Sequence, residues 1–127
     1  MTGMEKVIFV EQLKSRTKQF TLNILQLFKQ VQTSPDSQII RGQIIRAAAS
    51  VASNYRAACR ARSRAEFYSK ISIVVEEADE SLFWLELLEE SNLASEEKVR
   101  PLKKEAFEIL CITARARKTA QLNKQKK

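Results

Sequence analysis

Apolar side chains recur along this chain in steps of three and four residues. The first set is Leu13, Phe20, Ile24, Leu27 and Val31. The second is Ile40, Ile44, Ala47, Val51 and Ala58, with a parallel seam at Ile45, Ala48, Ala52, Tyr55 and Cys59. The third is Phe67, Ile71, Val74, Ala78, Leu85 and Leu88, and the fourth is Val99, Leu102, Ala106, Ile109 and Ala116. Such spacing places each set on one face of a helix. Three breaks separate the sets. At Thr33-Ser34-Pro35-Asp36, Ser34 can cap a helix and Pro35 fits its first position. Near Ala61-Arg62-Ser63, the tetrad Ser63-Arg64-Ala65-Glu66 reads as a capping box. At Ser91-Asn92-Leu93-Ala94-Ser95, Asn92 can end one helix and Ser95 can start the next. Pro101 leaves two options for that last helix: a start near Arg100, or a bend in an early turn. Alternating three- and four-residue steps suit helices packed nearly parallel, and short connections make sequential helices antiparallel neighbours. The pattern predicts an all-α, up-down-up-down four-helix bundle.

The second helix differs from the others. Residues 47–58 are mostly small, and two apolar seams offer more surface than one bundle face accepts. The surplus calls for another helix or another subunit.

Composition narrows the chemistry. The 127 residues make one domain, with a basic tail expected to fray from about residue 121. With only two Gly and two Pro, an all-β fold lacks its turns, and a phosphate-cradling glycine loop has no glycines. The absence of His removes the commonest general base, His-based triads and most zinc sites. No Ser, Lys or Cys has an evident activating base, so an enzyme is not expected, and neither is a cofactor. Cys59 and Cys111 have no metal-ligand spacing and read as buried thiols of a reducing, cytoplasmic compartment. The run Val7-Ile8-Phe9-Val10 is too short for a signal peptide, and no membrane partner is expected.

Charge is divided unevenly around a net +7. Residues 63–92 hold eight acids and two bases, whereas no acid occurs from Ser37 to Ala65 or after Glu108. Two basic runs result: Arg56, Arg60, Arg62 and Arg64, then Arg115, Arg117 and Lys118 with Lys124, Lys126 and Lys127. Either they are solvated ends, or they contact phosphates of RNA or DNA. Arg46 sits on a small-residue seam opposite acidic helix 3. Burial there would demand a carboxylate, Glu77 or Glu80, and removing the Arg would then cost roughly 3–5 kcal/mol. Glu76, Glu77, Asp79 and Glu80 resemble a carboxylate metal site in density, but a ferritin-like site also needs Glu-x-x-His. Asn54, on the apolar spacing, reads as a register residue or a donor to a neighbouring backbone. Trp84, off the main stripe, either closes the bundle margin or anchors a subunit contact, with Tyr55 as a second anchor.

The stretch Gln43-Ile44-Ile45-Arg46-Ala47-Ala48-Ala49-Ser50-Val51-Ala52-Ser53-Asn54-Tyr55 resembles the signature of bacterial four-helix-bundle proteins called 23S rRNA intervening-sequence proteins. The resemblance continues through Ser63, Phe67, Lys70, Ile73, Glu77, Glu80, Trp84, Leu85 and Leu88, and spans about residues 10 to 120. The family pattern usually has Glu where this chain has Ala57. The resemblance implies a four-helix bundle that assembles into a homopentameric ring. It also implies kinship with the accessory proteins of diversity-generating retroelements, which bind nucleic acid and a reverse transcriptase. The leading expectation is therefore a non-enzymatic oligomer that binds nucleic acid through basic surfaces, as an accessory to a nucleic-acid-handling protein. The alternative is a protein–protein scaffold in which acidic helix 3 meets basic helices of another subunit.

Overall fold

Each of the four stripes becomes a helix in the computed structural model, which describes residues 2–125 and side chains of residues 2–123. Helix α1 runs Gly3–Phe28, α2 Pro35–Cys59, α3 Arg64–Glu90 and α4 Glu96–Gln125. Among the described residues there is no strand. Each helix packs only on its neighbours in chain order, and α1 closes the square against α4 by the lightest seam. This is the four-helix bundle that the spacing predicts.

The caps explain the boundaries. Thr2 and Glu5 form a reciprocal capping box at the start of α1, satisfying two amides that the helix leaves open. Ser34 caps α2 by accepting from the Ser37 amide at 3.1 Å, and Ser37 Oγ returns the contact to the Ser34 amide at 2.8 Å, with Pro35 in the first turn. At α3 only half of the expected box forms. Ser63 accepts from the Glu66 amide at 3.0 Å, but the Glu66 carboxylate turns to Arg62 at 3.6 Å. Asn92 ends α3 with a φ of 62°, a left-handed conformation that its short polar side chain tolerates. Helix α4 starts at Glu96 rather than near Arg100, and it runs through Pro101, so the proline lies within an early turn of the helix. Its first amides, those of Lys98 and Val99, reach the Ser95 carbonyl. Helix α1 ends at Phe28, so Val31 packs on the core from the connection rather than from the helix. Helix α4 continues to Gln125, past the point where a frayed tail is expected; Lys126 and Lys127 lie outside the described residues.

The stripes meet in one core. Phe20, Ile24, Ile44, Ile71, Leu85, Leu88 and Ile109 are among its fully buried side chains, each stabilising the fold by about 1.5–3 kcal/mol relative to exposure. Three seven-residue gaps in the stripes are filled by buried hydroxyls. Thr17, Ser81 and Thr113 each donate to the carbonyl four residues back, at 3.0, 2.8 and 2.8 Å. A hydroxyl bonded to its own helix enters an apolar core without an unmet donor.

The surplus read on α2 does not remain open. The helix lies between α1 and α3, and its two seams are buried or half-buried within one chain, with Ala47, Ala48, Val51 and Tyr55 inside. Exposed apolar side chains lie off these seams: Met4, Val7, Ile8, Phe9 and Leu22 on α1, Ile39 on α2, Phe83 and Leu87 on α3, Phe107 and Leu122 on α4.

Candidate nucleic-acid interface

Antiparallel packing gathers the two basic runs. The C-terminal half of α4 lies beside the α2–α3 turn, so Ala116, Thr119, Ala120 and Asn123 share a groove with Arg62, Ser63 and Arg64. Arg60, Arg62, Arg64, Arg115 and Lys118 are all exposed at this end of the bundle, and Arg117 is half-buried. Lys6 of α1 lines the same groove. In the sequence these groups are more than fifty residues apart; the fold makes them one basic end.

Arg56 does not belong to the same surface. It lines a second groove, of about 790 Å³, between α1 and α2, together with Lys14, Lys18, Ser15 and Ser53. Lys14 and Lys18 were not singled out in the sequence, because α1 carries scattered acids and bases with no run. Their i, i+4 spacing on the face that meets α2 is the signal that could have found them. Hydroxyls beside cations are the donors that phosphate oxygens accept from.

The ion pairs that cross between helices lie away from this end, although Lys29, Arg41, Lys70, Lys98 and Lys104 make no ion pair among the described residues either. Arg16 makes a two-pronged contact with Glu105 at 2.7 and 2.8 Å and reaches Glu108 at 3.1 Å, and Lys103 binds Glu89 at 2.9 Å. At the basic end Arg62 has Glu66 at 3.6 Å, and in the second groove Lys14 has Glu11 at 3.1 Å. Arg56, Arg60, Arg64, Arg115, Arg117 and Lys118 make no ion pair among the described residues. Some of this charge suits the helix ends: Arg56 and Arg60 close α2, where cations oppose the negative pole of the dipole. Arg64 gains nothing in that way, since it opens α3.

The structural residues resolve as follows. Arg46 bonds both Glu77, at 2.7 Å, and Glu80, yet half of its side chain is exposed. The pair is present within one chain, but it is not the buried pair that the seam suggests, because Arg46 leaves α2 at its edge beside α3. Glu77 and Glu80 thus serve a guanidinium, and no group of three or more metal-ligating side chains gathers among the described residues. Asn54 donates to the Ser50 carbonyl and hydroxyl, both at 3.0 Å, so it bonds its own helix rather than a neighbouring backbone. Tyr55 is only 5% exposed and belongs to the core, which removes it as a subunit anchor. Burial pushes its hydroxyl well above the usual tyrosine range, and its hydrogen bond to Cys59 adds to that. Burial also raises the Cys59 thiol, although the Tyr55 hydrogen bond partly offsets the shift. Cys111 is exposed, contrary to the expectation of two buried thiols, and both cysteines are free. Trp84 is half-buried against the core and meets the exposed Phe83 edge-on at 5.1 Å. Its indole N–H is buried with no partner among the described residues.

No helix among the described residues is long and apolar enough to cross a membrane. Residues 11–114 match the family described as 23S rRNA-intervening sequence protein. No match is found among curated proteins. Among solved structures, the chain is similar to a protein of unknown function from the S23 ribosomal protein family of Bacteroides thetaiotaomicron VPI-5482. The two share 29% identity over 84% of this chain and 98% of that one, with a TM-score of 0.77.

Proposed function

Because the chain belongs to the 23S rRNA-intervening sequence protein family, we propose that it is a non-enzymatic, cytoplasmic bundle that assembles with itself and binds nucleic acid through its basic end. A homopentamer is the stoichiometry we propose, and an accessory role beside a nucleic-acid-handling protein is the setting. One observation carries the reading. Lys6 of α1, Arg62 of the α2–α3 turn and Arg64 of α3 line one groove, Arg60, Arg115 and Lys118 are exposed at the same bundle end, and the ion pairs across helices lie along the rest of the bundle. Uncompensated Arg and Lys on one face are the electrostatic footprint of a phosphate-binding surface. A ring would repeat that face by symmetry, and linked weak sites bind far more tightly than single ones.

The test is a salt titration of binding to labelled RNA and DNA. Each phosphate contact on a duplex contributes about 0.9 to the slope of log affinity against log salt, so the slope should be steep and the sequence preference weak. Replacing Arg56, Arg60 and Arg64 together by Ala should weaken binding to all sequences and flatten the slope while assembly persists. A Lys14→Ala, Lys18→Ala pair should act in the same direction through the second groove. No binding at low salt, or a triple variant that binds like the parent, would reject the reading.

The scaffold reading has its own observation. Exposed Phe83 and Leu87 stand on acidic α3, among Asp79, Glu86 and Glu90. An apolar strip flanked by acids suits a basic protein surface, including that of another copy. Under that reading the triple Arg variant loses assembly rather than nucleic-acid affinity.

A further inference from the structure

The groove at the basic end has a second property that phosphate binding does not use. It encloses about 850 Å³, and its floor is apolar, built from Leu13, Tyr55, Phe67 and Ile112. Ala116 and Ala120 of α4 form one wall, and their small side chains leave the space open. The volume is that of a small-molecule site. Ser63, Thr119 and Asn123 line it from exposed positions, whereas the Tyr55 hydroxyl is buried and the Cys59 thiol half-buried beside it, and burial favours the neutral form of both. Glu11 and Lys14 stand near this pair, but they are bonded to each other at 3.1 Å and offer a ligand little net charge. The floor therefore presents no free charge and little unmet hydrogen bonding.

The mouth is different. Lys6, Arg62 and Arg64 line it from α1, the α2–α3 turn and the first residue of α3. Lys6 and Arg64 have no ion pair among the described residues, and Arg62 has only Glu66 at 3.6 Å. An apolar slot beneath a cationic rim is complementary to a molecule with an apolar body and an anionic end. A nucleotide base would find an apolar floor with no free donor or acceptor to read it, and a purely apolar ligand would leave the rim unused.

We propose that this groove binds a free single-chain amphiphile with an anionic head, an acyl carboxylate, whose chain lies on Leu13, Phe67 and Ile112 and whose head meets Lys6, Arg62 and Arg64. The inference stands apart from nucleic-acid binding. It uses the interior of the groove, whereas phosphates need only its rim.

The experiment uses the whole chain in its native assembly. A fluorescent polyunsaturated fatty acid serves as the probe, displaced by straight-chain carboxylates of increasing length. Affinity should rise about fourfold per added methylene until the groove is full, and then level off. The matching alcohols should bind at least about tenfold more weakly, since they forgo charge-assisted contacts. An Arg62→Glu, Arg64→Glu variant should lose the preference for carboxylate while keeping the dependence on chain length. Ala116→Trp should block the groove; Ala120→Leu, a milder filling, should shorten the chain length at which affinity levels off even if the Trp variant folds poorly. Nucleic-acid affinity of Ala120→Leu should match the parent, which separates failure of this inference from failure of the other. Three results would overturn the proposal: no probe binding at micromolar concentration, equal binding of carboxylates and alcohols, or Ala116→Trp dissociating the assembly with no probe bound by the parent. Co-sedimentation with anionic vesicles in the absence of carboxylate binding would overturn it as well, by pointing to a lipid surface.

Discussion

Arg46 on α2 lies 2.7 Å from the Glu77 carboxylate on α3 and also bonds Glu80, so one guanidinium spans two successive turns of the facing helix while half of its side chain remains in solvent. The residues at i and i+3 of α3 offer their carboxylates on one face, which the planar Arg fork can bridge. Solvent screens the contact. Arg46→Ala should therefore destabilise by about 1 kcal/mol, well below the 3–5 kcal/mol of a buried pair. Urea unfolding with and without high salt checks this: the difference between variant and parent should shrink as salt rises.

Asn92 carries the only positive φ of a non-glycine residue among those described, at 62°. Asn92→Ala should destabilise by about 1 kcal/mol, because a β-carbon disfavours the left-handed conformation and the Asn side chain that tolerates it is lost. Asn92→Gly should be neutral or slightly stabilising at 25 °C. Thermal unfolding of both variants is the measurement, and an Ala variant as stable as the Gly variant would contradict the cap.

Stability should fall in the alkaline range. Burial raises the Cys59 thiol and the Tyr55 hydroxyl above their ordinary values. Unfolding lets both ionise at lower pH, so above about pH 8.5, the ordinary thiol range, the unfolded state holds fewer protons than the native state. Their contribution is fully present below that pH and is lost as pH rises through the raised native values. Cys59→Ala with Tyr55→Phe should flatten the alkaline limb of a stability profile and leave the neutral region level.

Assembly should involve the outer face of α3. Phe83 is 54% exposed and Leu87 39%, side by side at i and i+4. Static light scattering of the parent should give a mass well above 14.6 kDa. Phe83→Asp with Leu87→Asp should lower it, since two charges on an acidic helix leave an apolar contact no benefit. A parent that is monomeric at micromolar concentration would reject both the face and the oligomer.

Much of this was legible in the chain itself. Helix positions follow from where Leu13, Phe20, Ile44, Ile71, Leu85 and Ile109 recur, because 3.6-residue periodicity is a local property and burial rewards it wherever a partner exists. The starts of α2 and α3 follow from Ser34, Pro35 and Ser63, which bond amides only three residues away. The Arg46 pairing was legible too, since only one neighbouring helix is acidic. What tertiary structure decided are relations between distant residues. Tyr55 enters the core and Cys111 does not, although both lie on helices, because burial depends on which face meets a partner. Arg46 is half-exposed because it leaves its helix at a margin rather than at the seam. Arg62 joins Arg115 and Lys118 at one end, and Arg56 joins Lys14 and Lys18 at another groove, only because antiparallel packing superposes stretches far apart in the chain. The periodicity of apolar residues reports on each helix by itself, whereas a charged surface is the sum of fields from several helices, and that sum exists only once the bundle has set the distances between them.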